Sequence, residues 1–267
     1  MSRLVRGRVR RESGPTALPA GTRRAAVVVH YSETARLSLS VRTLVEQLRA
    51  GGYPMVLVSS CEAGEPLDWG GPPPEDVTVL RKPNLGYDFG SAAVGLDALP
   101  GLRELDCVLV VNDSNLGPFA PLAPFLERFE ASTADVWGLT SSVQTDYHLQ
   151  SFFLGFRRGV LAEPPLRRFW ADIRHHRDKN DVILRYEIGL SRLLVAEGYA
   201  IEAEFPAAAH TSPLRVNPVA GLWRELLDAG YPFVKRELVT RPWVEPSSAV
   251  IPAAIRHRFG QDAAAWL

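Results

Sequence analysis

The chain has 267 residues, of which 46% are hydrophobic and 22% charged, an ordinary globular composition with enough apolar residues for a large core. Its 30 basic residues balance its 30 acidic ones, so no global field draws it to nucleic acid or to an acidic membrane surface. No stretch approaches the roughly 18 uncharged apolar residues of a membrane span, and the N-terminal segment lacks the apolar centre of a signal peptide.

Residues 1–24 carry Arg3, Arg6, Arg8, Arg10, Arg11, Arg23 and Arg24 with Pro and Gly between them and no helical period, which predicts a mobile basic arm. Order is expected from residue 25. Residues 26–30 (AVVVH) read as a buried strand ending in the polar turn His30-Tyr31-Ser32. Ser32 is placed to cap a helix that carries Leu37, Val41, Leu44, Val45 and Leu48 on one face and stops at Gly51-Gly52. Residues 55–59 (MVLVS) and 77–80 are the next strands, separated by a Gly/Pro-rich loop over 61–76 that must lie at the surface. The turn 84–91 (NLGYDFGS) then opens a helix running to Leu99. Residues 107–111 (CVLVV) form a continuous apolar β-branched run, the pattern of a central parallel strand covered on both faces. Cys107 lies inside that run, so a disulfide with Cys61 is not expected, and a reducing, cytoplasmic setting is.

The second half predicts helices over 121–129, 163–176, 182–197 and 218–229 and strands over 135–140, 148–156 and 200–205, with a poorly specified tail after residue 237. The alternation means an α/β fold, a mostly parallel sheet with helices on both faces. One unit over 25–240 is expected, with a nucleotide-type half (25–140) and an acceptor half (141–240), followed by the tail 241–267.

Three polar turns fall at strand ends: His30-Tyr31-Ser32, 84–91 and Asn112-Asp113-Ser114. In a parallel sheet they share one rim, where α/β proteins bind ligands. Asp113, flanked by an amide and a hydroxyl, is either an oxygen ligand for a hard divalent cation or a plain turn former. Gly86 and Gly90, on either side of Asp88, permit close backbone approach to a ligand, and the following helix start suits a phosphate; the alternative is a capping turn. The turn matches neither the dinucleotide fingerprint nor a P-loop. Phe152, Phe153 and Phe156 read as core. His148 is a candidate ligand or base, or a hydrogen-bonded structural histidine, and alternation puts Gln150 on its strand face. Glu187 is the one acid in an apolar helical stretch and is the candidate general base, with a surface acid as the alternative. Lys235 and Arg236 either neutralise phosphate or are solvated. No zinc spacing surrounds His175-His176, no nucleophile elbow occurs, and basic residues interleave poorly with aromatics, so nucleic-acid binding is not supported.

The succession NLGYDFGS, LVVNDSNLGPF, DVWGLT, HLQSFFLGF, RYEIGLSRLLVAEGY and NPVAGLWRELLDAGYPFVKREL resembles the rhamnan synthesis protein F family over residues 25–238. The resemblance implies a GT-A-like glycosyltransferase with a nucleotide-sugar donor, deoxythymidine-diphosphate rhamnose in rhamnan-type members, and a lipid-linked glycan acceptor. Asp113 would then hold Mg²⁺ or Mn²⁺ on the donor's diphosphate, with His210 as a further ligand. His30, Asn84, Gly86, Asp88, Gly90, Asn112 and Ser114 would contact the donor, and Gln150 and Ser151 the acceptor. Glu187 and His148 would serve the chemistry. The turn departs from the Asp-any-Asp pattern of GT-A enzymes in having one carboxylate. That departure motivates the rival expectation, a non-catalytic glycan-binding or assembly module. Either would work at the cytoplasmic face of the membrane without spanning it.

Overall fold

The computed structural model of the chain describes residues 7–207, 217–241 and 247–267. Its first half runs β1 (Arg10–Ser13), β2 (Arg24–His30), α1 (Leu39–Ala50), β3 (Met55–Ser59), β4 (Val77–Arg81), α2 (Tyr87–Leu96), β5 (Cys107–Asn112) and β6 (Asn115–Leu116). Then follow α3 (Ala123–Ala131), β7 (Val136–Ser142), β8 (His148–Leu149), β9 (Phe153–Arg157), α4 (Pro164–Ala171), α5 (Lys179–Val182), α6 (Ile188–Ala196) and β10 (Ile201–Phe205). The chain closes with α7 (Pro218–Gly221), α8 (Trp223–Asp228), β11 (Val234–Lys235), α9 (Arg236–Thr240) and α10 (Ser247–Phe259).

Nine strands make one sheet in the order β1-β4-β3-β2-β5-β9-β7-β10, with β8 added onto β7. Strands β2, β3, β4, β5, β7 and β10 run the same way; β1, β8 and β9 run against them. The sheet is therefore mostly parallel but mixed. Every residue of β3, β4 and β5 is buried, as a strand covered on both faces requires. Alternation divides β2 between two cores. Ala26 and Val28 join α1 and α3, through Val41, Leu44, Leu48, Phe125 and Phe129. Ala25, Val27 and Val29 join α2, α4 and α6, through Phe89, Ala93, Trp170 and Leu190. A Cβ at Gly95 would stand 2.3 Å from Val27 Cγ1, so glycine there sets how closely α2 lies on the sheet.

The structure corrects several expectations. Residues 10–13 are an edge strand, not part of a mobile arm: Glu12 turns inward to Arg81, 2.7 Å away with both side chains nearly buried, and accepts from Leu67 N at 2.9 Å. Arginine-rich composition hides this strand, because its one acid carries the contact. Helix α1 is capped by Ser38, which accepts from Val41 N, and not by Ser32, whose hydroxyl bonds the Thr34 carbonyl. Residues 31–37 are thereby left as a loop over the rim. The strand expected over 148–156 is two strands joined by a turn at 150–152. The helix expected over 218–229 breaks at Leu222, whose backbone leaves the helical region. Residues 179–196 are helical throughout, with a π turn over Ile183–Glu187 between α5 and α6. The C-terminal segment is folded onto a third core: Ile251, Ile255, Ala263 and Trp266 cover Leu116, Phe119, Leu227, Val234 and Leu238. Both cysteines are buried and free. No helix among the described residues is long and apolar enough to cross a membrane.

Candidate functional site

Strands β2, β4 and β5 are parallel, so the three polar turns do share one rim. The turn after β5 is its centre. Asn112 Oδ1 accepts from Ser114 N at 3.0 Å, which bends the chain, and Tyr31 N donates to Asp113 Oδ2 at 3.1 Å. Strand β6 pairs with β11, bringing in residues far along the chain. Arg236 N donates to the Ser114 carbonyl at 3.0 Å, and its guanidinium reaches the Asp113 carbonyl at 3.3 Å and Ser38 Oγ at 3.4 Å. Among the described residues it makes no ion pair, and its charge is available to the rim.

The turn separates two cavities. Asp113 lines the larger, about 890 Å³, together with Tyr31, Arg36, Arg42 and Arg236. Asn112 and Ser114 line the smaller, about 160 Å³, with Asp88, Gln150, Ser151 and Glu187 around it and Lys179 and Lys235 at its side. Strand alternation explains the division, since neighbouring residues face opposite ways.

Asp88 stands in the first turn of α2, behind Gly86 (φ 81°) and Tyr87 (φ 52°), both left-handed. It does not cap that helix. Its carboxylate accepts no hydrogen bond from any described residue. Burial, then the negative charges of Asp113 and Glu187, push its pKa up to about 7 against the pull of Lys179 and Lys82. Burial pushes Asp113 up to about 6, opposed by Arg236 and the Tyr31 N–H. Lys82, buried beneath α2, donates to Ser60 Oγ at 3.1 Å and Ser91 Oγ at 3.2 Å, and burial lowers it to about 8.

Glu187 is held quite differently. Both Ser151 N, at 3.1 Å, and the Ser151 hydroxyl donate to Oε2, while His148 Nε2 lies 3.4 Å from Oε1. Burial would raise the carboxyl, but these bonds and the His148 charge hold it below the usual range. His148 Nδ1 lies 2.8 Å from the Asp146 carbonyl. Both partners of the ring are acceptors, an arrangement that favours the protonated form. Burial alone would lower its pKa; the contacts with Glu187 and Asp146 reverse that and raise it.

The structure thus gathers Asp88, Asn112, Ser114, Gln150, Ser151 and Glu187 at one cavity, with His148 behind Glu187 and Asp113 across the turn. The turn at 150–152 separates Gln150 from His148: Gln150 Nε2 donates to Asn217 Oδ1 at 3.0 Å. His30 lines neither cavity. It is buried against Ser59 Oγ at 3.0 Å, and burial, with Arg236 and Arg81, lowers it to about 4. Asn84 is exposed on a separate open groove beside Arg8, Arg10 and Lys82. Gly86 and Gly90 shape the start of α2, with Gly90 N bonded to the Gly86 carbonyl. His210 lies outside the described residues. Lys82, Lys179 and Asn115 belong to the rim and were not picked out by spacing, since each sits in a stretch that reads as an ordinary turn or strand end.

Among the described residues no group of three His, Cys, Asp or Glu is arranged to hold a metal ion. The larger cavity does offer a hard-oxygen ligand, Asp113, with one carboxylate oxygen bonded to Tyr31 N. That donor set suits Mg²⁺, which is commonly held by one or two carboxylates and completed by substrate phosphate.

The rhamnan synthesis protein F family model matches residues 76–255, from the start of β4 into α10 and across the whole rim except the β2 turn. Virulence protein VirA of Vibrio anguillarum is 31% identical over 196 residues, 61% of this chain and 62% of that protein. An uncharacterised protein of Sinorhizobium fredii, y4gN, is 29% identical over 131 residues, 47% of this chain and 34% of its own length. The chain therefore spans less than two thirds of the curated relatives it matches. With more than half its length matched, including every turn that lines the smaller cavity, the chain belongs to the rhamnan synthesis protein F family.

Proposed function

We propose that the protein acts in polysaccharide synthesis as a glycosyltransferase of GT-A-like arrangement. It moves a sugar, rhamnose being the family's suggestion, from a nucleotide-diphosphate donor to a cell-surface polysaccharide or lipid-linked glycan, at the inner face of the membrane. One observation carries the reading: two cavities of unequal size meet at the Asn112-Asp113-Ser114 turn. The larger, with Arg36, Arg42 and Arg236, suits a nucleotide diphosphate by size and charge. The smaller, polar on one side and lined by Phe89, Phe152 and Val219 on another, suits a sugar ring.

In this mechanism Arg236 stands where the departing diphosphate gathers negative charge, which a fixed cation stabilises. Asp113 would hold Mg²⁺ or Mn²⁺, which would supply Lewis-acid stabilisation of the same leaving group. Gln150 and Ser151 orient the acceptor. A second reading, a non-catalytic assembly or glycan-binding module, draws on the missing three-residue metal cluster among the described residues.

Isothermal titration with UDP, GDP and dTDP, with and without Mn²⁺, tests the choice. The transferase reading expects one nucleotide to bind, more tightly with Mn²⁺, and Asp113→Ala to lose the metal-dependent part. Chelation with EDTA should weaken wild-type binding in the same way. Binding of no nucleotide under any of these conditions leaves the assembly module.

A further inference from the structure

Two carboxylates face the smaller cavity, and their surroundings differ. Glu187 is fully engaged: Oε2 takes the amide and the hydroxyl of Ser151, and Oε1 faces the His148 ring. A carboxylate so bonded is ionised but a poor proton acceptor, because accepting a proton would break contacts already made. Asp88 accepts no hydrogen bond from any described residue, yet it lines the same cavity and a small apolar pocket that shares Asn112 and Ser151 with it and is closed by Trp170.

We propose that Asp88, and not Glu187, is the group that takes the proton from the acceptor hydroxyl, and that Glu187 is a positioning residue that holds the 150–152 turn against the cavity. This rests on the transferase reading above. In the step, the acceptor oxygen bonds to the anomeric carbon of the donor sugar. The bond from that carbon to the diphosphate breaks, and its electron pair leaves with the diphosphate. The hydroxyl proton passes to the Asp88 carboxylate. Geometry favours Asp88 because a base needs an open lone pair in the cavity where the hydroxyl arrives. Its elevated pKa, set by burial and by the Asp113 and Glu187 charges, agrees with that role.

Chemical rescue separates a base from a positioning residue. Azide attacks the anomeric carbon without having a proton to lose, so it restores turnover only where the missing group was the base. The experiment uses the full chain, the rhamnose ester of the nucleoside diphosphate selected by titration and then its other common sugar esters, and water or azide as acceptor, with release of nucleoside diphosphate as the readout. For Asp88→Ala we expect donor affinity within about threefold of wild type, hydrolysis reduced about 10²–10⁴-fold, and recovery with azide accompanied by a glycosyl azide product. Asp88→Asn, nearly isosteric, should show the same loss of hydrolysis and guards against a cavity artefact at Asp88→Ala. Glu187→Ala should weaken turnover without azide recovery. Rescue at Glu187→Ala in place of Asp88→Ala overturns the proposal. So does loss of donor binding in Asp88→Asn, which would make Asp88 a donor or cation ligand and leave the transferase reading intact. Failure of the wild-type chain to bind or hydrolyse any donor overturns both.

Discussion

Asp88 is placed against its own stability. Its folded pKa, about 7, lies above the ordinary carboxyl value of 3.8. The folded chain therefore holds a proton that the unfolded chain releases, and stability falls as pH rises through that window. Asp88→Asn should raise the melting temperature by about 2–6 °C at pH 8 and by less at pH 4. Scanning calorimetry at both pH values checks this, and an equal gain at both would contradict the burial of an ionised group. His30 works in the opposite sense. Burial lowers it to about 4 from 6.5, so its contribution is present above pH 6.5 and is lost as pH falls toward 4. His30→Gln should flatten that part of the stability curve, measured by urea titration across pH 4–7. At this scale Asp113 and Asp88 were legible as candidates, because an Asp in a strand-end or glycine turn is visible in one dimension. The difference between Asp88 and Glu187 was not. It depends on Ser151 and His148 reaching Glu187 across a turn and a π turn whose registers no periodicity announces.

Elements β2 to β5 were readable almost to the residue, since a strand covered on both faces leaves an unbroken apolar run. Strands β8 and β9 were not, because the break at 150–152 lies inside a stretch as aromatic as a strand. The α2 element shows why its glycines matter. Gly95→Ala puts a methyl 2.3 Å from Val27 Cγ1, and overpacking of this kind costs about 1–3 kcal/mol. Urea unfolding should register that loss, together with slower donor hydrolysis at unchanged donor affinity, because α2 carries Asp88. Strand β1 depends on the Glu12–Arg81 pair. Glu12→Ala leaves a nearly buried guanidinium with only the Cys61, Ala63 and Glu65 carbonyls for company. Breaking a buried pair from one side costs about 3–5 kcal/mol. A change below about 1 kcal/mol would mean that the edge strand is held by its backbone ladder alone.

At the scale of the whole molecule, the α/β class and the helix-covered sheet were legible from the alternation of periods. The antiparallel insertion of β9 between β5 and β7 was not, since strand direction in space depends on the length and path of connections. The folded C-terminal segment was also hidden, its three prolines outweighing a weak helical pattern. Ending the chain at residue 241 would expose Leu116, Phe119, Leu227, Val234 and Leu238. The lost burial of Ile251, Ile255 and Trp266 is worth about 1.5–3 kcal/mol each, a large share of a typical net stability of about 5–15 kcal/mol. Near-UV circular dichroism and nucleotide binding should both collapse in that variant; an unchanged melt would show that this core does not support the rim. The contact of Arg236 with the Asp113 carbonyl spans 123 residues, and it sets an order in time. A ribosome makes the Asn112-Asp113-Ser114 turn early and its clamp late. A chain stalled anywhere before residue 236 carries the acid without the arginine that holds and charges it. On the transferase reading proposed above, a chain abandoned before that residue would lack the cation that faces the diphosphate and would not turn over a nucleotide sugar.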